Sequence, residues 1–376
     1  MKHVVIFGLS GNGPESARNT VLCRTFSQIC SRTSYCTIKF GFARPDATPI
    51  AKIVHALVHA PLRWLWLGLK YLTLPPHDLV FVPYPSHTDA WLVLLLAGLR
   101  KKPVVLDAFY GIYDTAVRDR KTIKETSLPA RLIWHYEKWL LRAADSILVD
   151  TDDNAAMLIK DFRIDSARIT AVPVGVDESL WTPVSFPSTK SFLVVFWSTF
   201  IPLHGTEVVA HAAKLLEEKY TDIKFLVIGN GQLGQDFTML LEKLKLQNLK
   251  WINRFIPLPE ISKNVETAGC CLGVFGNTEK AQRVIPYKAY QSLASAKPLI
   301  TARTRACEKV FTDCYDVLLV NLDDPLDLSK AVLKLAQNPE MAADIGRKGN
   351  KLYHRRLSNQ IIKAKIEKII FKTIAV

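Results

Sequence analysis

Short apolar runs alternate with stretches of amphipathic, helical spacing along most of this chain. Turn residues bound each run, which predicts a buried strand followed by a helix. The runs predicted as strands are residues 3–7, 79–82, 104–106, 146–149, 192–196 and 223–228. Strands and helices that alternate in this way form parallel, doubly wound α/β sheets.

The alternation pauses once, over AVPVGVDESLWTPVSFPSTKS at residues 171–191, which carries three prolines. Segments of this kind connect domains. We therefore predict a Rossmann-like domain at residues 1–172, a linker at 173–190 and a second Rossmann-like domain at 191–355. Ligands of open parallel sheets bind at the carboxyl ends of the strands, so we expect a binding cleft between the two halves.

The last segment, residues 356–376, is predicted as a separate helix. Ser358 is placed to cap it, and apolar and basic residues divide its two faces. The isoleucines are Ile361, Ile362, Ile366, Ile369 and Ile370, and the lysines are Lys363, Lys365, Lys368 and Lys372. The pattern fits a helix that crosses back to the N-terminal domain, or a helix that lies on a membrane surface.

Composition narrows the choice of partner. A formal charge of +14 over 376 residues indicates an anionic partner, such as nucleic acid, anionic lipid or a nucleotide-linked metabolite. The seven cysteines are odd in number and form no C-x-x-C pair, so we expect neither a disulfide framework nor a zinc site. This cysteine usage fits a reducing, cytoplasmic setting. The opening KHVVIFG is predicted as a strand and not as a secretory leader.

Basic and aromatic residues cluster in the first half. The cluster comprises Lys52, Arg63, Lys70, Arg100, Lys101, Lys102, Trp64, Trp66 and Trp91. Such a mixture suits the surface of an anionic membrane, and it equally fits tryptophans in a core beside solvated lysines. The two most apolar windows, residues 62–74 and 91–99, are too short to span a bilayer. A membrane role would therefore be peripheral, on the inner face of the cytoplasmic membrane.

The segment with the most candidate chemistry is VFGNTEKAQRVIPYKAYQSLASAKPLIT, at residues 274–301. A predicted strand end leads through Lys280, Arg283 and Lys288 into a predicted helix at residues 289–295. Cations at a helix N-terminus suit a doubly charged anion, because side chains, backbone N–H groups and the helix dipole act on the same oxygens. A solvated basic loop is the alternative.

Several segments resemble bacterial group 1 sugar transferases in order and spacing. Those that resemble the donor half are FWSTFIPLHGTEVVAHAAKLL (196–216), IKFLVIGNGQ (223–232) and residues 280–300. Those that resemble the acceptor half and the connection are GPESARNTVL (13–22), VVLDAFYGIYDT (104–115) and VPVGVDESLWTP (172–183). The chain thus resembles a GT-B glycosyltransferase of the large retaining family 4. This implies two doubly wound Rossmann-like domains that face each other across a cleft.

The resemblance also implies a nucleotide-sugar donor, such as a UDP- or GDP-sugar, on the second half, with no further cofactor. In such enzymes protein groups, rather than a metal, neutralise the charge that develops on the diphosphate. We expect Arg283 and Lys288 to act in this way as catalytic residues. The other residues expected to bind the donor are Gly13, Ser198, Thr199, His204, Gly229, Gly231, Lys280, Ile285, Pro286 and Gln291.

Four of these positions depart from the family pattern. Many relatives carry an arginine and a lysine in place of Thr199 and His204, and two glutamates in place of Arg283 and Gln291. Gln291 can still accept a ribose hydroxyl through its carbonyl. We expect a rearranged diphosphate clamp shared by Arg283, Lys288 and His204. A catalytically inactive relative that acts as a binding protein is the alternative.

The acceptor is expected on the first half. Asp107 lies just past a predicted strand and would orient or deprotonate the acceptor hydroxyl as a catalytic residue. Tyr110, Asp114 and Asp119 are secondary candidates, and each aspartate fits a turn cap equally well. The resemblance implies a carbohydrate or lipid-linked saccharide acceptor, as in polysaccharide biosynthesis, and retention of configuration.

Other functions fit less of the sequence. A nucleotide-sugar epimerase of the same fold needs a carboxylate pair and a histidine in the cleft, and no such set is evident. An NAD(P) oxidoreductase needs G-x-G-x-x-G, whereas the first strand here leads into G-x-x-G-x-G. RNA binding fits the charge but not the donor motifs, so we expect no nucleic-acid partner. The D-x-D at residues 150–152 is predicted as a helix cap, and we expect no metal site.

Overall fold

The computed structural model describes residues 2–9, 17–38, 49–109, 111–187 and 191–374. They contain two six-stranded sheets in which all paired strands are parallel. The first sheet comprises β1 (His3–Leu9), β2 (Arg32–Ile38), β3 (Leu79–Val82), β4 (Val104–Asp107), β5 (Ser146–Val149) and β6 (Ile169–Ala171). The second comprises β7 (Phe192–Trp197), β8 (Ile223–Ile228), β9 (Leu249–Ile252), β10 (Cys270–Leu272), β11 (Leu299–Ala302) and β12 (Leu318–Val320).

Helices connect the strands throughout. The first half contains α1 (Ala17–Ile29), α2 (Pro49–Leu72), α3 (His87–Leu99), α4 (Leu128–Ala143) and α5 (Asp152–Phe162). The second contains α6 (Thr206–Glu217), α7 (Gly234–Leu244), α8 (Leu258–Glu266), α9 (Tyr287–Ala294), α10 (Arg305–Glu308), α11 (Pro325–Gln337), α12 (Pro339–Arg356) and α13 (Asn359–Ile374). None of the described helices is long and apolar enough to cross a bilayer.

The strand order is β2-β1-β3-β4-β5-β6 in the first sheet and β12-β11-β10-β7-β8-β9 in the second. The prediction of doubly wound α/β sheets is confirmed. The strands named from apolar runs occupy or adjoin the centre of each sheet, where both faces are covered and every position favours an apolar side chain. The edge strands β2 (RTSYCTI) and β9 (LKWI) mix polar with apolar residues and lack a continuous apolar run.

The first sheet is covered on both faces. Helices α2 to α5 pack on one face and share its hydrophobic core, while α1 and the last helix, α13, pack on the other. Ile362, Ile366 and Ile370 of α13 are fully buried there, and Thr373 shares a 2.7 Å hydrogen bond with Ser146. The hydroxyl of Ser358 donates to the carbonyl oxygen of His354 in the preceding helix, so its side chain does not cap α13 as the sequence suggested.

The segment between the sheets is packed rather than extended through solvent. Trp181 is 1% exposed and stacks on Trp197 of β7, with ring centroids 6.3 Å apart. Val174 and Val176 are buried in the same core. This part of the connecting segment therefore packs against the second domain. The exact domain bounds stay predictions.

Candidate active site

Loops at the carboxyl ends of three strands lie together between the two sheets. In the first sheet, β4 leads into a π-helical turn at Asp114–Asp119. In the second, residues 198–205 follow β7 and residues 273–286 lead from β10 into α9. A small cavity between the halves is lined by Phe109 and Asp114 on one side and by Lys280 on the other. This is the edge at which parallel α/β sheets bind ligands.

Two of the three cations singled out in residues 274–301, Lys280 and Arg283, contact the first domain. The Nη2 of Arg283 donates to Asp114 Oδ1 at 2.6 Å, and its Nε donates to Asn154 Oδ1 at 3.2 Å. The Nζ of Lys280 donates to Thr115 Oγ1 at 2.7 Å and lies 3.7 Å from Asp114 Oδ2. Arg283, Lys280 and Asp114 are all buried. These cations therefore join the two halves, and their contact with a diphosphate stays a prediction.

Lys288 has different surroundings. It lies in the first turn of α9 and is 5% exposed, and its Nζ finds no hydrogen-bond partner among the described residues. The ammonium lies 3.9 Å from the centroid of the Phe196 ring, a cation–π contact. Burial lowers the pKa of Lys288 well below its ordinary value. A buried cation without a counter-charge, at a helix N-terminus, is suited to bind an anion.

His204 lies near Lys288 in the loop after β7. Its Nδ1 is 2.5 Å from the carbonyl oxygen of Thr199, and this contact identifies Nδ1 as the donor. Burial and the positive charge of Lys288 lower the pKa of His204 well below its ordinary value. At neutral pH this imidazole is therefore neutral, and with its proton on Nδ1 the Nε2 atom can only accept a hydrogen bond, so His204 adds neither charge nor a free donor to a clamp.

Gln291 is fully buried one turn after Lys288. Its Oε1 accepts from Trp197 Nε1 at 2.9 Å, while its Nε2 and the hydroxyl of Ser198 have no hydrogen-bond partner in the described part of the chain. The carbonyl expected to accept from ribose is thus engaged, and the amide N–H₂ is the group with unused capacity. The Ile285 side chain packs in the core, and Pro286 occupies the cap position of α9.

The glycines after β8 are required for packing within the protein. Gly229 has φ +121°, and a Cβ there would lie 1.9 Å from the carbonyl oxygen of Ser198. A Cβ on Gly231 would lie 2.8 Å from the backbone nitrogen of Phe200. Both glycines therefore let this loop approach the loop after β7, and a contact with the donor stays a prediction. Gly13 and Tyr110 lie outside the described residues.

Asp107 is enclosed by an arginine that the sequence reasoning missed. Nε and Nη2 of Arg18 donate to Asp107 Oδ1 at 3.0 and 2.9 Å, and Nη1 donates to the carbonyl oxygen of Val172 at 2.7 Å. Asp107 is 0% exposed and Arg18 1%. The pair indicates a positioning role beneath the loop after β4, and the acceptor role of Asp107 stays a prediction. A single arginine in a helix carries no sequence signal for such a contact.

Two buried carboxyl groups lie at the region between β4 and α4, and one of them, Glu137 of α4, holds the loop in place. The two oxygens of Glu137 accept from the backbone nitrogens of Ile112 and Tyr113 at 2.9 and 2.8 Å, and burial raises the pKa of Glu137 to about 7. Asp119 is 5% exposed, and neither of its oxygens has a hydrogen-bond partner within the described ranges. Burial raises the pKa of Asp119, and nearby Lys280 opposes the shift.

The D-x-D segment caps α5, and Asp153, the residue after it, contacts the second half. Asp150 accepts from Asn154 Nδ2 at 2.7 Å, and the Thr151 hydroxyl accepts from the Asn154 backbone at the start of α5. Asp153 pairs with Lys309 of the second half at 2.8 Å. Across the described residues, no group of three His, Cys, Asp or Glu side chains is arranged to hold a metal ion.

Models of two glycosyltransferase domain families match the two halves of the chain in turn. The model of the glycosyl transferase 4-like domain matches residues 20–175, and that of the glycosyl transferases group 1 matches residues 178–352. An uncharacterized glycosyltransferase of Methanocaldococcus jannaschii is 24% identical over 155 residues, 41% of each chain. A D-inositol 3-phosphate glycosyltransferase of Nocardioides sp. is 20% identical over 275 residues, which is 67% of this chain and 59% of the relative. The matches thus span 41% and 59% of the lengths of these two relatives.

Solved structures share the whole architecture. Anabaena HepE in complex with UDP-glucose superposes with a TM-score of 0.73 at 12% identity, over 99% of this chain and 100% of the other. Sucrose-phosphate synthase from Thermosynechococcus elongatus superposes with a TM-score of 0.77 at 14% identity, over 100% of both chains. The two family models together cover nearly the whole chain, and its two facing parallel sheets are those of the GT-B fold. The chain therefore belongs to the group 1 glycosyltransferases.

Proposed function

We propose that the chain transfers a sugar from a nucleoside diphosphate sugar to a hydroxyl group of a carbohydrate or lipid-linked acceptor. The buried ammonium of Lys288 carries this proposal, because it has no hydrogen-bond partner among the described residues and lies in the first turn of α9. An unpaired cation in a protein interior is costly. A phosphate bound beside it would supply the missing counter-charge.

A diphosphate leaving group suits this position. When the bond between sugar and phosphate breaks, additional negative charge develops on the diphosphate, and it must be stabilised in the transition state. The ammonium of Lys288 and the first N–H groups of α9 would do so without a metal ion. The unused amide of Gln291 follows on the same side of the helix, where it can donate to a ribose or phosphate oxygen.

We propose that transfer retains the configuration at the anomeric carbon. The carboxylates of Asp107 and Asp114 are both held by arginines, Arg18 and Arg283, which favours a mechanism without a carboxylate nucleophile. The acceptor oxygen would bond to the anomeric carbon from the face that the phosphate leaves. The hydroxyl proton would pass to the leaving phosphate oxygen.

The fold neighbours support a UDP-sugar as the first donor to test, since HepE has been crystallised with UDP and with UDP-glucose. A GDP-sugar is the second. The curated relatives named D-inositol 3-phosphate glycosyltransferases support an acceptor with several hydroxyl groups. We propose a saccharide acceptor of this kind, used in the synthesis of a polysaccharide or glycolipid.

The test is thermal stabilisation of the purified protein by UDP, GDP and their sugars, with NAD, NADP and RNA as controls. A nucleotide present at 100 times its Kd stabilises by about 2.7 kcal/mol. We expect one nucleoside diphosphate to raise Tm, and Lys288→Gln to abolish most of that rise. Lys243→Gln, at an exposed position on α7, is the matched control. A rise with dinucleotides or RNA alone would refute the proposal.

A further inference from the structure

Helices α2, α3 and α4 lie side by side on one face of the first sheet, and their outer surfaces are apolar. Of the seventeen exposed large hydrophobic side chains among the described residues, ten lie on these three helices, so the exposure is concentrated in one area. We name these ten the leucine face. They are Leu62, Leu65, Trp66, Leu69, Leu72, Leu95, Leu99, Leu128, Leu132 and Trp139.

The leucine face is not part of the protein's core. The inner sides of the same helices already supply the core, through residues such as Leu67, Val93 and Leu140, which are fully buried. On α2 the exposed positions 62, 65, 66, 69 and 72 repeat at helical spacing and form one stripe. Monomeric soluble proteins rarely expose apolar patches larger than a few hundred Å². The face therefore indicates a partner surface.

The exposed charges on the three helices of the leucine face have a single sign. The three helices contain only two acidic residues, Asp89 and Glu137, and these are 0% and 3% exposed. Asp89 is held by Arg63 and Trp64 at 2.7 and 2.9 Å. The charges that reach the surface are cationic. They are Lys70, Arg131, Lys138 and Arg142, with Lys101 just after α3.

We propose that the leucine face docks on an anionic lipid bilayer. Leucine and tryptophan side chains would enter the region between headgroups and acyl chains, while the surrounding cations would meet lipid phosphates. The ammonium of Lys70 lies 4.6 Å from the centroid of the Trp66 ring, so a cation and an interfacial aromatic side chain already stand together on this face. A second copy of the chain fits less well, because two copies of one cationic face would repel each other.

Docking in this way would place the acceptor loop close to the bilayer. The buried side of α4 carries Glu137, which holds the loop at Ile112 and Tyr113, and its outer side carries Leu132 and Trp139. An acceptor anchored in the membrane would then approach the cleft from the α4 side. This last step rests on the proposed function, whereas docking itself does not.

The test is flotation of the full chain with vesicles of phosphatidylcholine alone or with 30 mol% phosphatidylglycerol. We expect flotation with the anionic vesicles and its loss at high salt. Leu65→Glu/Leu69→Glu should weaken binding by about 10²-fold, and Lys70→Glu/Arg131→Glu by on the order of tenfold or more. The matched controls are Leu215→Glu/Met239→Glu and Lys219→Glu/Lys243→Glu, which change exposed positions of the second domain.

Three results would overturn the docking proposal. The first is no flotation with the anionic vesicles, and the second is an equal loss in the control variants. The third is a concentration-dependent dimer in light scattering that Leu65→Glu/Leu69→Glu converts to a monomer, since the face would then be a self-association surface. The nucleotide-induced rise in Tm, measured on each variant, shows whether the donor half stays folded and separates failure of docking from failure of the proposed function.

Discussion

Replacing Lys288 by methionine should change stability and ligand binding in opposite directions. The ammonium is buried, lies 3.9 Å from the Phe196 centroid, and has no hydrogen-bond partner among the described residues. Methionine is close to lysine in length, and its thioether makes favourable contacts with aromatic rings. The variant therefore keeps the packing and removes the charge.

The size of both effects can be worked from general values. Replacing buried ionic groups by apolar residues of similar volume often stabilises proteins, by about 1–4 kcal/mol. At about 2–4 °C per kcal/mol for a domain of this size, Tm should rise by roughly 2–16 °C. A hydrogen bond to a charged group contributes about 1.5–3 kcal/mol, so the affinity for the nucleoside diphosphate should fall by about 10- to 150-fold.

Calorimetry measures both quantities on the same samples, with Lys243→Met as the control. The lowered pKa of Lys288 adds a second signature, because a bound phosphate favours the ammonium. Above the pKa of the unliganded group, binding must take up a proton, so the affinity of the wild type should fall as pH rises. A lower Tm with unchanged nucleotide affinity in Lys288→Met would refute the reasoning, since the charge would then have a stabilising partner and no ligand.

Further predictions concern stability. Asp107→Ala leaves the Arg18 charge buried without its carboxylate and should lower the free energy of unfolding by about 3–5 kcal/mol in urea titrations. The double variant Asp107→Leu/Arg18→Met should regain most of that stability. If the single and double variants lose equal stability, the pair has no structural role. Burial lowers the pKa of His87 from 6.5 to about 4, so the unfolded chain binds the proton first, and stability should fall by about 3 kcal/mol as pH drops from about 6.5 to about 4. His87→Gln should flatten this part of the pH profile, and an unchanged slope would show that other groups cause it. Gly229→Ala places a Cβ 1.9 Å from a carbonyl oxygen at φ +121° and should cost about 1–3 kcal/mol or more, and an unchanged Tm would contradict this geometry.

The fold was largely predictable because its central strands are buried on both faces. Apolar runs such as residues 79–82 and 223–228 coincide with β3 and β8, since a strand covered by helices on both sides tolerates few polar residues. The apolar alternation of α13 indicated a helix with one buried side, but the choice between the protein and a membrane needed the tertiary structure. There the isoleucines meet α1 and the first sheet.

The candidate site was predictable only as a list of residues. Lys280, Arg283 and Lys288 stand close together in the sequence and look equivalent there, yet Asp114 pairs with the first two and leaves the third in apolar surroundings. Asp114 is 169 residues from Arg283 in the chain, so no local pattern can show that they meet. The same holds for Arg18 and Asp107, which are 89 residues apart.

The sequence by itself determined the two parallel sheets, the helices between them and the set of cations near the cleft. Those features depend on local hydrophobic spacing and on residue type. The tertiary structure alone decided which cations have partners and which glycines serve packing. It also brought the exposed apolar side chains of α2, α3 and α4 together on one solvent-facing surface, with basic side chains among them. These properties depend on side chains that folding brings together, and the burial and charge pairing that result are absent from the linear order of residues.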